Sequence, residues 1–349
     1  MKFAYVGSRT TKQRNARGEG ISVYTIDDNE QWKLIQKIKV EENPSFLCFD
    51  NNKEYLYAVH GDLYSVSSYK IDKETGVLTH LNTMKSGGRN PVFLTPDETN
   101  KFLFIASLQG GAVATLLRKP DGSVTDPMFT EHLEGITEEG VSHAHQCIKD
   151  RSQKFIAVPT QGRNVGYGGV FVYRINYDGG LIRTQRLISR DHDEPRHMVF
   201  DNTNKFAYVL NEHGNCITTM TFDDENGILS PVQIVSTLPE TYTGNSKAGE
   251  IVIHPNNKFI YSTNRSHNSV AVFERNEENG FIKMTGCTDC LGKIPRFMEI
   301  SDDGKKLYVA NEESDTIQIF AVNEKDGSLE FTDNTINTGS PVCIIFKEA

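Results

Sequence analysis

The stretch EPRHMVFDNTNKFAYVLN, residues 194–211, decides how the rest of the chain is read. It opens with a short apolar run containing Pro, passes through a polar turn, and closes on a Lys-aromatic-Ala-Tyr-Val run. Two β runs joined by Asp, Asn and Thr read as a hairpin. Related phrases begin at Asn43 (NPSFLCFDNNKEYLYAVH), Asn90 (NPVFLTPDETNKFLFIAS), His143 (HAHQCIKDRSQKFIAVPT), Ala248 (AGEIVIHPNNKFIYSTN), Ile294 (IPRFMEISDDGKKLYVAN) and Ser340 (SPVCIIF). The last copy stops halfway, and its missing half stands at the other end of the chain as MKFAYVGS, Met1–Ser8.

Equivalent positions fall at residues 44, 91, 144, 195, 248, 295 and 341. A repeat of about 40–50 residues, each reading as several short strands, is the signature of a propeller. In the fourth unit the four β runs are Arg196–Phe200, Phe206–Asn211, Cys216–Phe222 and Ile228–Val235. Tyr, Val, Ile and Phe dominate them, as suits strands buried between neighbouring sheets. No segment keeps a helical period. The prediction is an all-β, seven-bladed propeller with four antiparallel strands per blade, residues 1–349 forming one domain. The last blade is composite: Pro341–Phe346 innermost, then Phe3–Gly7, Gly20–Ile26 and Leu34–Val40. Pairing the termini in this way removes two free sheet edges.

Composition narrows the partners. The formal net charge is −9 with no Lys/Arg run, which argues against nucleic acid. No apolar run approaches the roughly 18–20 residues that span a bilayer. The chain enters strand at once with no long apolar run, so no signal peptide is expected. Four of six cysteines (Cys48, Cys147, Cys216, Cys343) fall in predicted strands and read as buried thiols of a reducing, cytoplasmic compartment. The lone CxxC, Cys287 to Cys290, has no second pair and is not expected to bind metal or cycle redox. A monomer or weak homo-oligomer is expected.

A propeller gathers equivalent positions around one axis, so the repeat alignment also proposes channel-facing residues. The residue after the phrase's Pro reads Ser45, Val92, His145, Arg196, Gly249, Arg296 and Val342. The residues ending the second run include Thr160-Gln161, Asn211-Glu212, Asn264-Arg265 and Asn311-Glu312. Reflection about the turn near residue 203 places Arg196 across from residue 210, beside Glu212. The same construction puts Glu250 near Asn264-Arg265, His145 near Thr160 and Arg296 near Asn311. His145, Arg196, Glu212, Glu250, Arg265 and Arg296 therefore meet on one rim of the channel. A single Arg–Glu pair there reads equally well as a structural ion pair. A scaffold has no need of such a cluster confined to adjacent blades. His143-Ala-His145 puts two imidazoles on one side of a strand, a spacing compatible with a metal, but no third ligand accompanies it, and none is expected. His197 follows Arg196 and supports the same site. His60, His213 and His267 are uninformative singly, and the acidic turns DDENG, NEENG and NEKDG read as solvated hairpin tips.

The phrases NPSFL, SHAHQ, EPRHMVF, YVLNE, AGEIVIHPNNKFIYSTNRSHNSVAVF and IPRFMEISDDGKKLYVAN resemble the seven-bladed lactonase family, across essentially the whole chain. That family includes the propeller type of 6-phosphogluconolactonase and the 3-carboxy-cis,cis-muconate lactonising enzyme. The resemblance implies that His145, Arg196, Glu212 and Arg265 take the family's active-site positions. The chain departs from the family where many members have a Tyr-Thr-Gly strand end: here Val6-Gly7-Ser8-Arg9 leads into a basic loop through Arg17. The expected function is metal-free, cofactor-free hydrolysis of an anionic lactone, first of all 6-phospho-glucono-lactone. His145, Arg196 and Glu212 are the expected catalytic residues. Arg265, Arg296, His143, His197 and Glu250 are expected to bind substrate. Lactonisation of a carboxymuconate, or action on another carboxylated or sugar lactone, is the alternative on the same scaffold, and a non-catalytic binding platform the alternative from another class.

Overall fold

A computed structural model describes residues 2–348 as seven four-stranded antiparallel sheets, with about one turn of 3-10 helix at Lys12–Arg14. Blade one runs from Pro44 to Lys85, two from Pro91 to His132, three from His143 to Ile188 and four from Pro195 to Ser236. Blade five spans Lys247–Asp289 and blade six Pro295–Asn337. Blade seven is composite, as the split repeat requires. Its innermost strand Pro341–Glu348 pairs antiparallel with Lys2–Ser8, which pairs in turn with Ile21–Ile26 and that with Trp32–Ile38. The ladder runs from Lys2 opposite Glu348 to Ser8 opposite Pro341, so the termini close the ring.

The aromatic residues of the repeated phrase hold blade to blade. The Gly of the outer hairpin in one blade lies on the ring that opens the second strand of the blade before it. Gly280 rests on Phe206, Gly327 on Phe259, Gly227 on Phe155 and Gly76 on Phe3. Each has φ of 70–73°, and a Cβ at any of them would overlap the ring. Tyr208 Oη donates to the Gly280 carbonyl at 2.8 Å and Tyr261 Oη to that of Gly327 at 3.0 Å. The Lys-Phe-x-Tyr wording is thus an interface motif: Phe and Tyr fill the space between blades, and each buried ring contributes about 1.5–3 kcal/mol. Blade one carries Tyr55 at the Phe position, under Gly122, and blade six carries Lys306; the facing hairpin of blade seven has no Gly, and Glu30, which takes the positive φ at 62°, pairs with Lys306.

The innermost strands carry the feature that makes the site. In blades one, two, four and six the register slips by one between the opening Pro and the residue two further on. In blade seven the slip falls between Gly7 and Ser8, leaving Val342 unpaired. Each slip is a β-bulge, and its extra residue is the one after Pro: Ser45, Val92, Arg196, Arg296 and Val342. A bulge bends the strand and re-aims that side chain. In blade five two residues, Gly249 and Glu250, oppose the single Thr263, between Ala248 opposite Asn264 and Ile251 opposite Ser262.

Several sequence expectations are corrected in detail. The fourth strand of blade seven is Trp32–Ile38, not Leu34–Val40. Blade three has no continuous inner strand: His143–Ala144 and Ile148–Lys149 are separate pieces, because Pro159 opposite offers no N–H. Cys147 lies in that break rather than in a strand, though it is fully buried. All six cysteines are free, Cys287 donating to Ser269 Oγ and Cys290 to the Gly292 carbonyl. No helix among the described residues is long and apolar enough to cross a membrane.

Candidate active site

Arg196 is the bulge residue of blade four, and its guanidinium is buried at 4 % exposure. Its Nη1 donates to the Gly249 carbonyl, which the blade-five irregularity turns toward it. Its Nε lies 3.6 Å from Glu212 Oε2 and its Nη1 3.8 Å from Glu250 Oε2. Neither is a hydrogen bond, and Nε has no partner. A buried cation between two carboxylates at ion-pair range, with an unspent donor, is held ready for another acceptor. Burial, then Arg296, pulls Arg196 down to about 9, which leaves it cationic at neutral pH.

Glu212 is the better-paired carboxylate. Arg265 Nη2 reaches its Oε1 at 3.0 Å, and Gln161 Nε2 donates to its Oε2 at 2.8 Å. Burial pushes the Glu212 carboxyl up, but Arg265, Arg196 and Arg296 outweigh it and hold it below the usual carboxylate range. Glu212 is therefore an anion throughout the neutral range and a feeble base. Arg265 also gives Nη2 to the Ala248 carbonyl at 2.8 Å, while its Nε stays unpartnered.

His145 sits in the broken inner strand of blade three, anchored by its own N–H to the Pro159 carbonyl at 3.0 Å. The side chain is 4 % exposed and its Nδ1 has no protein partner. Burial first, then Arg196, His197 and Arg296, drives its pKa well below the ordinary value, so the ring is neutral at pH 7. His197 packs against it with ring centroids 5.1 Å apart. The Glu250 carboxylate accepts from His197 Nδ1 at 2.5 Å, which fixes the neutral tautomer with Nε2 as acceptor. The edges of Phe46 and Phe93 close the channel around His197, at 6.3 and 5.9 Å between centroids. Phe46 also meets Phe93 and Phe297, at 4.4 and 6.0 Å between centroids, so aromatic side chains of blades one, two and six pack together beside His197.

The reflection argument places most residues well. Arg296 is a bulge residue like Arg196, less enclosed, with its Nη1 3.7 Å from Glu312 Oε2. Glu250 stands across from Thr263 rather than Asn264-Arg265, its N–H donating to Thr263 Oγ1 at 2.8 Å, because Gly249 and Glu250 together oppose that one residue. His143 does not join the cluster. It turns toward blade two, its Nδ1 2.9 Å from the Leu108 carbonyl, so it does not share a face with His145. Gln161 and Glu312 escaped assignment. Both lie in the second-run endings that named Glu212 and Arg265, and that shared position was the signal. Arg9 also escaped: it is 3 % exposed, with Nε and Nη1 unpartnered.

Comparison with known proteins agrees with the fold. The chain is 26 % identical over 302 residues to the 6-phosphogluconolactonase of Bacillus subtilis strain 168, covering 84 % of this chain and 83 % of that one. It is 27 % identical over 320 residues to the 6-phosphogluconolactonase of Formosa agariphila, covering 86 % and 87 %. The periplasmic gluconolactonase of Pseudomonas aeruginosa shares the fold at a TM-score of 0.84 with 22 % identity, over 99 % of each chain. A family model for the seven-bladed β-propeller lactonases matches residues 3–346. With seven blades, a terminally closed ring and matching over nearly the whole length, the chain belongs to the seven-bladed β-propeller lactonase family.

Proposed function

We propose that this protein hydrolyses 6-phospho-glucono-lactone, with no metal or organic cofactor taking part. The observation that carries the reading is the juxtaposition of a neutral, unpartnered imidazole at His145 with the buried, incompletely paired guanidinium of Arg196. Lactone opening needs a base for water and a cation for the oxyanion, and those two groups supply them.

His145 takes a proton from water as the water oxygen bonds to the lactone carbonyl carbon. The carbonyl electron pair moves onto its oxygen, and Arg196 stabilises that oxyanion through its spare Nε–H. The pair then returns, the ring C–O bond breaks, and the imidazolium of His145 gives its proton to the departing alkoxide. Glu212, anionic throughout, holds Arg196 and Arg265 in place and keeps their charges from repelling each other. Arg265 and Arg296 take the anionic end of the substrate, and Glu250 fixes His197 behind His145. His143 lies outside this set and serves the rim at most. The substrate itself aids the base: an anion near Arg196 and Arg296 offsets two of the charges that depress His145, raising its proton affinity.

The six free thiols accord with a cytoplasmic location. The test is hydrolysis of 6-phosphogluconolactone, unphosphorylated gluconolactone and carboxymuconolactone side by side, corrected for spontaneous opening. The phosphorylated lactone should have the highest kcat/KM. A preference for carboxymuconolactone would move the protein to the lactonising branch, and no acceleration of any of the three would make it a binding platform.

A further inference from the structure

Arg9 follows the second strand of blade seven and starts the basic loop, and its environment is unlike that of a structural arginine. The side chain is enclosed, yet Nε and Nη1 make no hydrogen bond. The nearest carboxylate, Asp62 Oδ2, is 3.9 Å away. That carboxylate is already committed: Arg14 Nε donates to Asp62 Oδ2 at 2.8 Å, Arg14 Nη2 donates to Oδ1, and Asn43 Nδ2 reaches Oδ2 at 3.2 Å. Arg17 is likewise paired, with Asp315 at 2.5 Å. The loop is latched to blade one by Arg14 and to blade six by Arg17, and Arg9 is the buried cation it leaves over.

The position of Arg9 is set from the neighbouring blade. Nη1 lies over Gly61, where a Cβ would overlap it, and beside Ser45, the bulge residue of blade one, whose Oγ is buried without a partner. Burial, then Arg296, then Arg14 pull Arg9 down to about 9, against the smaller opposing pulls of Glu312 and Asp62. With Arg14 and Asp62 occupied with each other, Arg9, Arg196, Arg265 and Arg296 stand against Glu212, Glu250 and Glu312. The rim therefore carries surplus positive charge on a chain whose net charge is −9. Such a concentration of one sign in a low-dielectric hollow attracts and holds the opposite sign.

We infer that Arg9 completes the anion site with Arg296, so that the end of the substrate remote from the lactone carbonyl is a dianionic phosphate lodged between blades six, seven and one. This rests on the lactonase reading and deepens it by naming what selects the substrate. A single carboxylate neutralises Arg296 alone; a phosphate, with three terminal oxygens, satisfies Arg9, Arg296 and the Ser45 hydroxyl together.

The experiment measures binding of 6-phosphogluconate and of gluconate by calorimetry to wild type, Arg9→Gln and Gly61→Ala, with melting curves for all three. Arg9→Gln should weaken 6-phosphogluconate by about tenfold or more, the loss of one charge-assisted contact, and leave gluconate unchanged. Gly61→Ala, which pushes the guanidinium aside and keeps its charge, should lose part of the same selectivity. Arg9→Gln should melt no lower than wild type, because it removes a poorly compensated buried charge. Equal weakening of both ligands, no weakening, or a lower melting temperature without selective loss would make Arg9 a structural partner of Asp62 and overturn the inference. The two claims separate cleanly. Arg9-dependent binding of 6-phosphogluconate by a protein that opens no lactone supports the anion site and sinks the lactonase. Hydrolysis of the phosphorylated lactone with no selective change in Arg9→Gln does the reverse.

Discussion

Arg265 Nη2 stands 3.0 Å from Glu212 Oε1, a contact that crosses from blade five to blade four. It means that the strongest cation on Glu212 comes from the neighbouring blade, not from Arg196 in the same hairpin. Replacing Arg265 by Met should therefore raise the proton affinity of Glu212 and loosen the interface between the two blades. Because Arg196 and Gln161 remain, the destabilisation should stay below the roughly 3–5 kcal/mol of a fully stranded buried charge. Arg265→Met with Glu212→Leu should recover stability and leave activity lost. Denaturant unfolding of the singles and the double checks this; additive losses would show that the contact does not couple them.

The second prediction concerns pH. Neutral His145, depressed by burial and by Arg196 and Arg296, places the acid limb of kcat/KM below the 6.5 of an ordinary histidine. Bound anionic substrate offsets the arginines, so the corresponding limb of kcat should lie at higher pH than that of kcat/KM. Coincident limbs would mean that the base does not sense the arginines.

The third concerns Glu299, in the inner strand of blade six. Burial, with Glu250 nearby, pushes its carboxyl up to about 8. A carboxyl raised on folding gives stability that is full below its unfolded value and is lost as pH climbs to the folded one. Glu299→Gln should thus raise the melting temperature more at pH 8 than at pH 5. A constant difference across that range would show that Glu299 is as ionised in the folded chain as in the unfolded one.

The fourth concerns ring closure. Deleting residues 1–7 removes the strand paired with Pro341–Glu348 and bares its edge. The truncated protein should aggregate or lose cooperative unfolding; an unchanged melting transition would contradict closure by the termini.

The repeat phrase made the ring legible because Pro, Phe, Tyr and Gly each answer a local demand: strand entry, blade interface, hydrogen bond to the next hairpin, and positive φ. Arg196, Glu212 and Arg265 were legible because a hairpin reflects its two ends onto each other. What reflection cannot show is the bulge. One extra residue at Arg196 and one in blade five, where Gly249 and Glu250 share a single partner, shift the register, which moved Glu250 opposite Thr263. Nor does strand alternation hold where Pro159 denies blade three an N–H, so His143 and His145 point to different places. Arg9 was hidden for another reason. Its burial depends on Gly61 and Ser45, more than thirty residues away in sequence and in a different blade.

The measurement that bears most directly on the account is proton release on 6-phosphogluconolactone by wild type and by folded His145→Ala, corrected for spontaneous opening. Wild type should open the lactone well above the spontaneous rate, and His145→Ala should lose roughly 10²–10⁴-fold in kcat with little change in KM. A folded His145→Ala protein working at the wild-type rate would contradict the assignment of the base. A wild-type rate no faster than spontaneous opening would contradict the function itself.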